Sequence, residues 1–217
     1  MEFNVIAKLV SGSNIRWQGC EPVVRQRIYF ANHTSNLDAW VIWAALPPAI
    51  RDLTRPVAAR DYWVNNWIKR FLANQVFNAV LIERKKPTRT DNPLNDMLIA
   101  MGQTHSLIIF PEGGRQASGE MTPFKGGLFH LAKDRPDVEF VPVLVENLNR
   151  ILPKGEFLPA PILGSVTFGT PLKLEPSEQK DAFLIRAQAA VKSLNHLGHS
   201  NSTNKPMHWL AAWWLCW

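Results

Sequence analysis

His33 and Asp38, five positions apart in Asn32-His33-Thr34-Ser35-Asn36-Leu37-Asp38, are the first residues that suggest chemistry. On a regular helix this spacing sets two side chains about 140° apart, at roughly 100° per residue. They meet only if His33 lies in a turn before a helix and Asp38 in its first turn. Asp38 then holds one imidazole nitrogen and fixes the tautomer, and the other nitrogen can take a proton from a hydroxyl. A plainer reading stands beside this one: Ser35-x-x-Asp38 also matches a capping box, in which Asp38 serves only the helix N-terminus. A second stretch, Phe110-Pro111-Glu112-Gly113-Gly114-Arg115, follows the most apolar predicted strand. Paired glycines there let backbone N–H groups converge on an anion, and an arginine grips phosphate with two N–H groups. The alternative is a glycine turn with a surface arginine. In Phe124-Lys125-Gly126-Gly127, Lys125 precedes a predicted helix, as a phosphate contact or a simple helix entry. In Leu81-Ile82-Glu83-Arg84-Lys85-Lys86, Arg84 stands where a strand runs into a basic cluster.

These residues need a scaffold, and the apolar pattern supplies one. Short apolar runs alternate with helical patterns, as in an α/β domain. Strands are predicted at residues 27–31, 55–59, 79–83, 106–110, 139–145 and 162–168. Helices are predicted at 37–46, 62–73, 94–103, 126–133 and 178–197. In the last of these, Phe183, Ala187, Ala190, Val191 and Leu194 recur at helical spacing. Three of the four candidate stretches then follow the carboxyl ends of strands, the edge where open α/β sheets bind ligands. The expected organisation is a short N-terminal segment (1–26), one domain (27–197), and a linker with a Trp-rich tail (198–217).

Composition narrows the class. A chain of 217 residues, 46% hydrophobic and 19% charged, buries a core without disulfides or structural metal. Cys20 and Cys216 match no zinc or redox spacing, which fits a reducing compartment. No signal peptide is recognisable before Cys20, and the longest apolar run, residues 39–46, is far below the roughly 18 residues a membrane span needs. The net charge of +6 is concentrated: residues 51–90 hold nine Lys/Arg against three Asp/Glu, which is the whole surplus. Such a segment points to a polyanionic partner. Nine tryptophans, including Trp63 and Trp67 within the basic segment and four in the tail, favour an anionic membrane surface over nucleic acid.

His33 with Asp38, followed by Phe110–Arg115, resembles the glycerolipid acyltransferase family, whose best-known members are the 1-acylglycerol-3-phosphate acyltransferases. Four blocks of that family stand here in order: Asn32 to Asp38, Val80 to Arg84, Phe110 to Arg115 with Phe124 to Gly127 behind it, and Val141-Pro142-Val143. Two positions depart from the family pattern. Gly114 stands where threonine is usual, and Asn78 where the second block usually opens with glycine.

The resemblance implies a single α/β domain with a mixed, mostly parallel central sheet flanked by helices. It implies acyl transfer to a lysophospholipid hydroxyl from acyl-CoA or acyl-carrier protein, with His33 as general base and Asp38 orienting it. Arg84, Glu112, Gly113, Gly114, Arg115 and Lys125 would form the acceptor's phosphate and glycerol site, with Glu112 binding a glycerol hydroxyl or ordering Arg115 rather than touching phosphate, and Val141 to Val143 would line the acyl side. No metal or redox cofactor is implied, and the expected location is peripheral, on the cytoplasmic face of a membrane.

Rival chemistries fit less well. No Gly-x-Ser-x-Gly elbow occurs, so a serine hydrolase is disfavoured. His196, His199 and His208 lack the spacing of a metal site. A non-catalytic membrane or anion-binding module explains the charge but leaves His33, Asp38 and Phe110–Arg115 as coincidence.

Overall fold

The computed structural model describes residues 14–35, 37–60, 78–83, 92–115, 120–146 and 164–196. Seven strands form one sheet: β1 (Asn14–Trp17), β2 (Arg27–Ala31), β3 (Thr54–Ala59), β4 (Val80–Ile82), β5 (Ser106–Ile109), β6 (Glu139–Glu146) and β7 (Ser165–Phe168). Their spatial order is β1-β7-β6-β2-β5-β3-β4. Every neighbouring pair is parallel except β6 and β7. Among the described residues the helices are α1 (Asp38–Ala45), α2 (Pro48–Arg51), α3 (Pro93–Met101), α4 (Gly127–Asp134) and α5 (Lys180–His196). The mixed, mostly parallel sheet flanked by helices is the architecture expected from the sequence.

The central strands are buried on both faces, which is why they read as continuous apolar runs. All five residues of β2 are buried. Alternation along β2 sends Ile28 and Phe30 to one side, where they join Leu107, Ile109, Phe140, Leu128, Phe183 and Val191. Tyr29 and Ala31 point to the other side, against Val41, Ile42, Val141, Val143 and Phe168. So α3, α4 and α5 cover one face and α1 the other. Val141 and Val143 are fully buried in this second layer. They pack the sheet rather than line an open acyl surface.

Two elements lie outside the predicted pattern. β1 is a four-residue strand with one apolar aliphatic residue, yet it pairs with β7, and Trp17 stacks on Phe168 at 4.1 Å. The short α2 begins with Pro48 at its first position, where a missing N–H costs nothing. The predicted helix at 62–73 lies outside the described residues, as do Arg84 and the tail. Asn78, at the entry to β4, has φ +46°, which explains why glycine suits that position; asparagine is among the few other residues that tolerate it. Arg55 holds it there, donating from Nε to the Asn78 carbonyl at 2.8 Å and from Nη2 to Asn78 Oδ1 at 3.2 Å.

Candidate active site

β2 and β5 are adjacent and parallel, with Phe30 opposite Ile109. The Asn32–Asp38 and Phe110–Arg115 stretches therefore leave the sheet side by side at its carboxyl edge. The two motifs, 77 positions apart from His33 to Phe110, meet there: the imidazole stacks on the Phe110 ring at 4.2 Å, with planes 22° apart.

The turn after β2 is fixed residue by residue. Asn32 pairs its side-chain amide with the backbone of Val145 on β6 through two 2.9 Å hydrogen bonds. The His33 N–H donates to Glu112 Oε1 at 2.9 Å. The N–H groups of Thr34 and Ser35 both donate to Asp38 Oδ2, at 2.7 and 2.8 Å. His33 Nδ1 lies 2.9 Å from the same oxygen. A carboxylate oxygen accepts, so this contact suits the tautomer with hydrogen on Nδ1, which leaves the lone pair on Nε2. The Asp38 side chain is fully buried and the His33 side chain 14% exposed, so the pair joins an interior anchor to a partly exposed imidazole. Asp38 Oδ1 is buried with no hydrogen-bond partner among the described residues.

The histidine-partner geometry is complete, while the capping box is only half formed: the N-cap of α1 is Leu37, with no side-chain cap bond. The carboxylate accepts the Ser35 N–H, as the reciprocal arm of a capping box would, and it also holds the imidazole. The other arm is absent: Ser35 Oγ accepts from the Leu37 N–H at 3.2 Å instead of from Asp38.

Glu112 is 4% exposed and its carboxylate is engaged with protein groups. Oε1 takes the His33 N–H, while Oε2 takes the N–H and the hydroxyl of Thr122, at 2.9 and 3.0 Å. Gly113 has φ +71°, a left-handed turn that lets Lys125 lie across it. A Cβ placed on Gly113 would sit 2.5 Å from Lys125 Nζ. The Lys125 N–H donates to the Pro111 carbonyl at 2.9 Å, which ties the segment before α4 to this loop. Phe124 anchors that segment by packing edge-on against Phe30 in the core. Gly114 faces open space, and Arg115 is exposed on the same loop. β4 also runs parallel to its neighbour and ends at this edge of the sheet. Of the residues singled out from sequence, His33, Asp38, Glu112, Gly113 and Lys125 are brought together by these contacts, and Gly114 and Arg115 continue the same loop. Thr122 and Val145 stand in no motif, and Asn32, although it opens the first block, gives no sign there of its pairing with Val145. They emerge only from the fold.

A parallel-sheet edge that gathers a His–Asp pair and a Gly-Gly-Arg loop defines the class that the motifs resemble. A family model described as Acyltransferase matches residues 14–146, more than half of the sequence, and the chain belongs to that family. It is 27% identical over 171 residues to a 1-acyl-sn-glycerol-3-phosphate acyltransferase of Limnanthes douglasii, covering 76% of this chain and 57% of that protein. It is 29% identical over 154 residues to a protein of the same name from Saccharomyces cerevisiae, covering 69% of this chain and 48% of the relative. The chain therefore spans about half the length of these curated relatives. Its fold is similar to the crystal structure of the 1-acyl-sn-glycerophosphate (LPA) acyltransferase PlsC from Thermotoga maritima. The TM-score is 0.68 at 19% identity, over 92% of this chain and 80% of that one.

Proposed function

We propose that this protein transfers a fatty acyl group from acyl-CoA or acyl-carrier protein to the free hydroxyl of a lysophospholipid. The favoured acceptor is 1-acylglycerol-3-phosphate, giving phosphatidate. The observation that carries the reading is the His33–Asp38 pair set against the Phe110–Arg115 loop at one sheet edge. His33 Nε2 takes the proton of the acceptor hydroxyl as its oxygen attacks the thioester carbonyl. The C–S bond breaks, and the departing thiolate recovers that proton. Asp38 stabilises the imidazolium formed between these events. Arg84, Gly113, Gly114, Arg115 and Lys125 hold the acceptor phosphate. The names of the curated relatives support this acceptor.

No described helix is long and apolar enough to cross a membrane. We assign membrane access to peripheral attachment on the cytoplasmic face, through the basic segment 51–90 and its tryptophans. The test is a panel of lysolipids with acyl-CoA and acyl-carrier protein as donors, read by thiol release and by mass spectrometry of the products. Thiol release that requires a lysophospholipid supports the reading. Vesicle binding without any transfer would leave only the membrane- or anion-binding module.

A further inference from the structure

We propose that Thr122, braced by Gln188 of α5, is a positioning residue for His33 and acts through Glu112. The inference rests on the acyl-transfer reading, but its structural half is measurable without it.

A general base works only when its nitrogen sits within hydrogen-bond reach of the hydroxyl it deprotonates. Asp38 and Phe110 set the orientation of the His33 ring. The ring hangs from a backbone, however, and that backbone is held at its own N–H by Glu112 Oε1. The Glu112 carboxylate is therefore part of the geometry of the base, and what fixes the carboxylate fixes His33.

Thr122 supplies that fixation. Its N–H and Oγ1–H both reach Glu112 Oε2, so one residue grips one oxygen twice and sets the carboxylate plane. Hydrogen bonds to an ionised acceptor are about twice as strong as neutral ones. Thr122 is itself anchored, because Gln188 Nε2 donates to its carbonyl at 2.8 Å. Gln188 belongs to α5, whose Phe183, Ala187, Val191 and Leu194 are core residues. The chain of contacts runs from a packed helix through Gln188, Thr122 and Glu112 to the His33 N–H. An acceptor-ligand role for Glu112 fits poorly. At 4% exposure it has almost no open surface, and both oxygens already receive donors from the protein.

Three variants of the full chain test the relay: Thr122→Val keeps the β-branched shape and removes the hydroxyl, Thr122→Ser keeps the hydroxyl, and His33→Ala is the control. Thr122→Val should lower kcat about tenfold to a hundredfold, the scale of a small misplacement of a reacting group. The KM values for lysophosphatidate and acyl-CoA should stay within about twofold, and Thr122→Ser should restore kcat to within about twofold of the native protein. Hydrogen exchange of the His33 amide should accelerate about tenfold in Thr122→Val, as expected when a charge-assisted bond is loosened, and recover in Thr122→Ser. An unchanged kcat, an unchanged His33 exchange rate, an equal loss in Thr122→Ser, or a rise in acceptor KM at constant kcat each overturns the proposal. If His33→Ala transfers acyl groups as fast as the native protein, the general-base reading fails separately. The exchange rate then decides whether Thr122 holds the His33 backbone at all.

Discussion

Asn32 and Val145 lie edge to edge: the Asn32 amide donates to the Val145 carbonyl, and its oxygen accepts the Val145 N–H, both at 2.9 Å. A side chain thereby extends the β2–β6 ladder past its last backbone partners, Ala31 and Val143. The residue it fixes is the one immediately before His33. Asn32→Leu should remove both bonds and leave a buried N–H and C=O without partners. Each such group costs about 1–3 kcal/mol. For the two groups together, chemical denaturation should show a loss of about 2–6 kcal/mol. The kcat for acyl transfer should fall as well, because the turn carrying His33 loses its anchor to β6.

His33→Ala and Asp38→Asn should separate catalysis from architecture. The His33 ring is partly exposed and packs on Phe110, so its removal should change the melting temperature little. Loss of a positioned base should lower kcat about a hundredfold to ten-thousandfold. Asp38→Asn should lower both quantities. Its oxygen can still accept from Thr34 and Ser35, but the charge that stabilises an imidazolium is gone. Its amide then occupies the buried site where Oδ1 has no partner among the described residues. Thermal melts beside initial rates distinguish the two variants.

Gly113 and Gly114 should respond differently to alanine. Gly113→Ala places a Cβ in a left-handed residue and against Lys125, at 2.5 Å from Nζ, 2.8 Å from Cε and 2.9 Å from Cδ. The backbone strain is about 1 kcal/mol, and the flexible lysine must swing away. Stability should fall by about that amount, and the acceptor KM should rise if Lys125 meets the phosphate. A Cβ on Gly114 meets nothing within 4 Å, so Gly114→Ala should leave stability within about 0.5 kcal/mol. Denaturant midpoints and acceptor titrations read both effects.

The strands that carry the site are legible in the sequence, because a parallel strand buried on both faces leaves an uninterrupted apolar run, as in Ile28 to Ala31 and Leu107 to Ile109. Their adjacency is what brings His33 to Phe110, and it becomes visible only in the fold. β1 escapes sequence reading because Asn14-Ile15-Arg16-Trp17 has no apolar run; its place is set by pairing with β7. Glu112 shows the other limit. Its motif suggests a ligand to the acceptor, but its hydrogen-bond donors come from residues 79 positions before it and 10 after it. No local spacing encodes that. Spacing alone leaves Asp38 open between helix cap and histidine partner; in the fold its Oδ2 holds His33 and the Thr34 and Ser35 N–H groups of the preceding turn, while α1 has no side-chain cap.

At the opposite end of the sheet, stability should depend on pH through Glu139. Arg27 begins β2 directly opposite Glu139 on β6, and its Nε donates to Glu139 Oε2 at 3.0 Å. Arg25 donates to the other carboxylate oxygen. The Arg27 side chain is 4% exposed and that of Glu139 14%. Burial alone would raise the Glu139 carboxyl, but hydrogen bonds and charge attraction from Arg25 and Arg27 outweigh it and hold the group below the usual carboxylate range. A depressed folded pKa means that the ionised pair contributes its full stability above the unfolded value, about 4.3. That contribution is lost as pH falls through the lower folded value. Glu139→Gln leaves the buried guanidinium of Arg27 without its counter-charge and replaces one of the two carboxylate acceptors by an amide donor, while the Arg27 bond to the Glu21 carbonyl stays. The cost at pH 7 should be on the order of 3 kcal/mol. Denaturant melts of the native and variant chains should differ most at neutral pH and converge as the buffer is acidified below about pH 4. A gap that stays constant down to pH 3 would mean that the ionised pair contributes nothing, and that only the shape of the side chain matters.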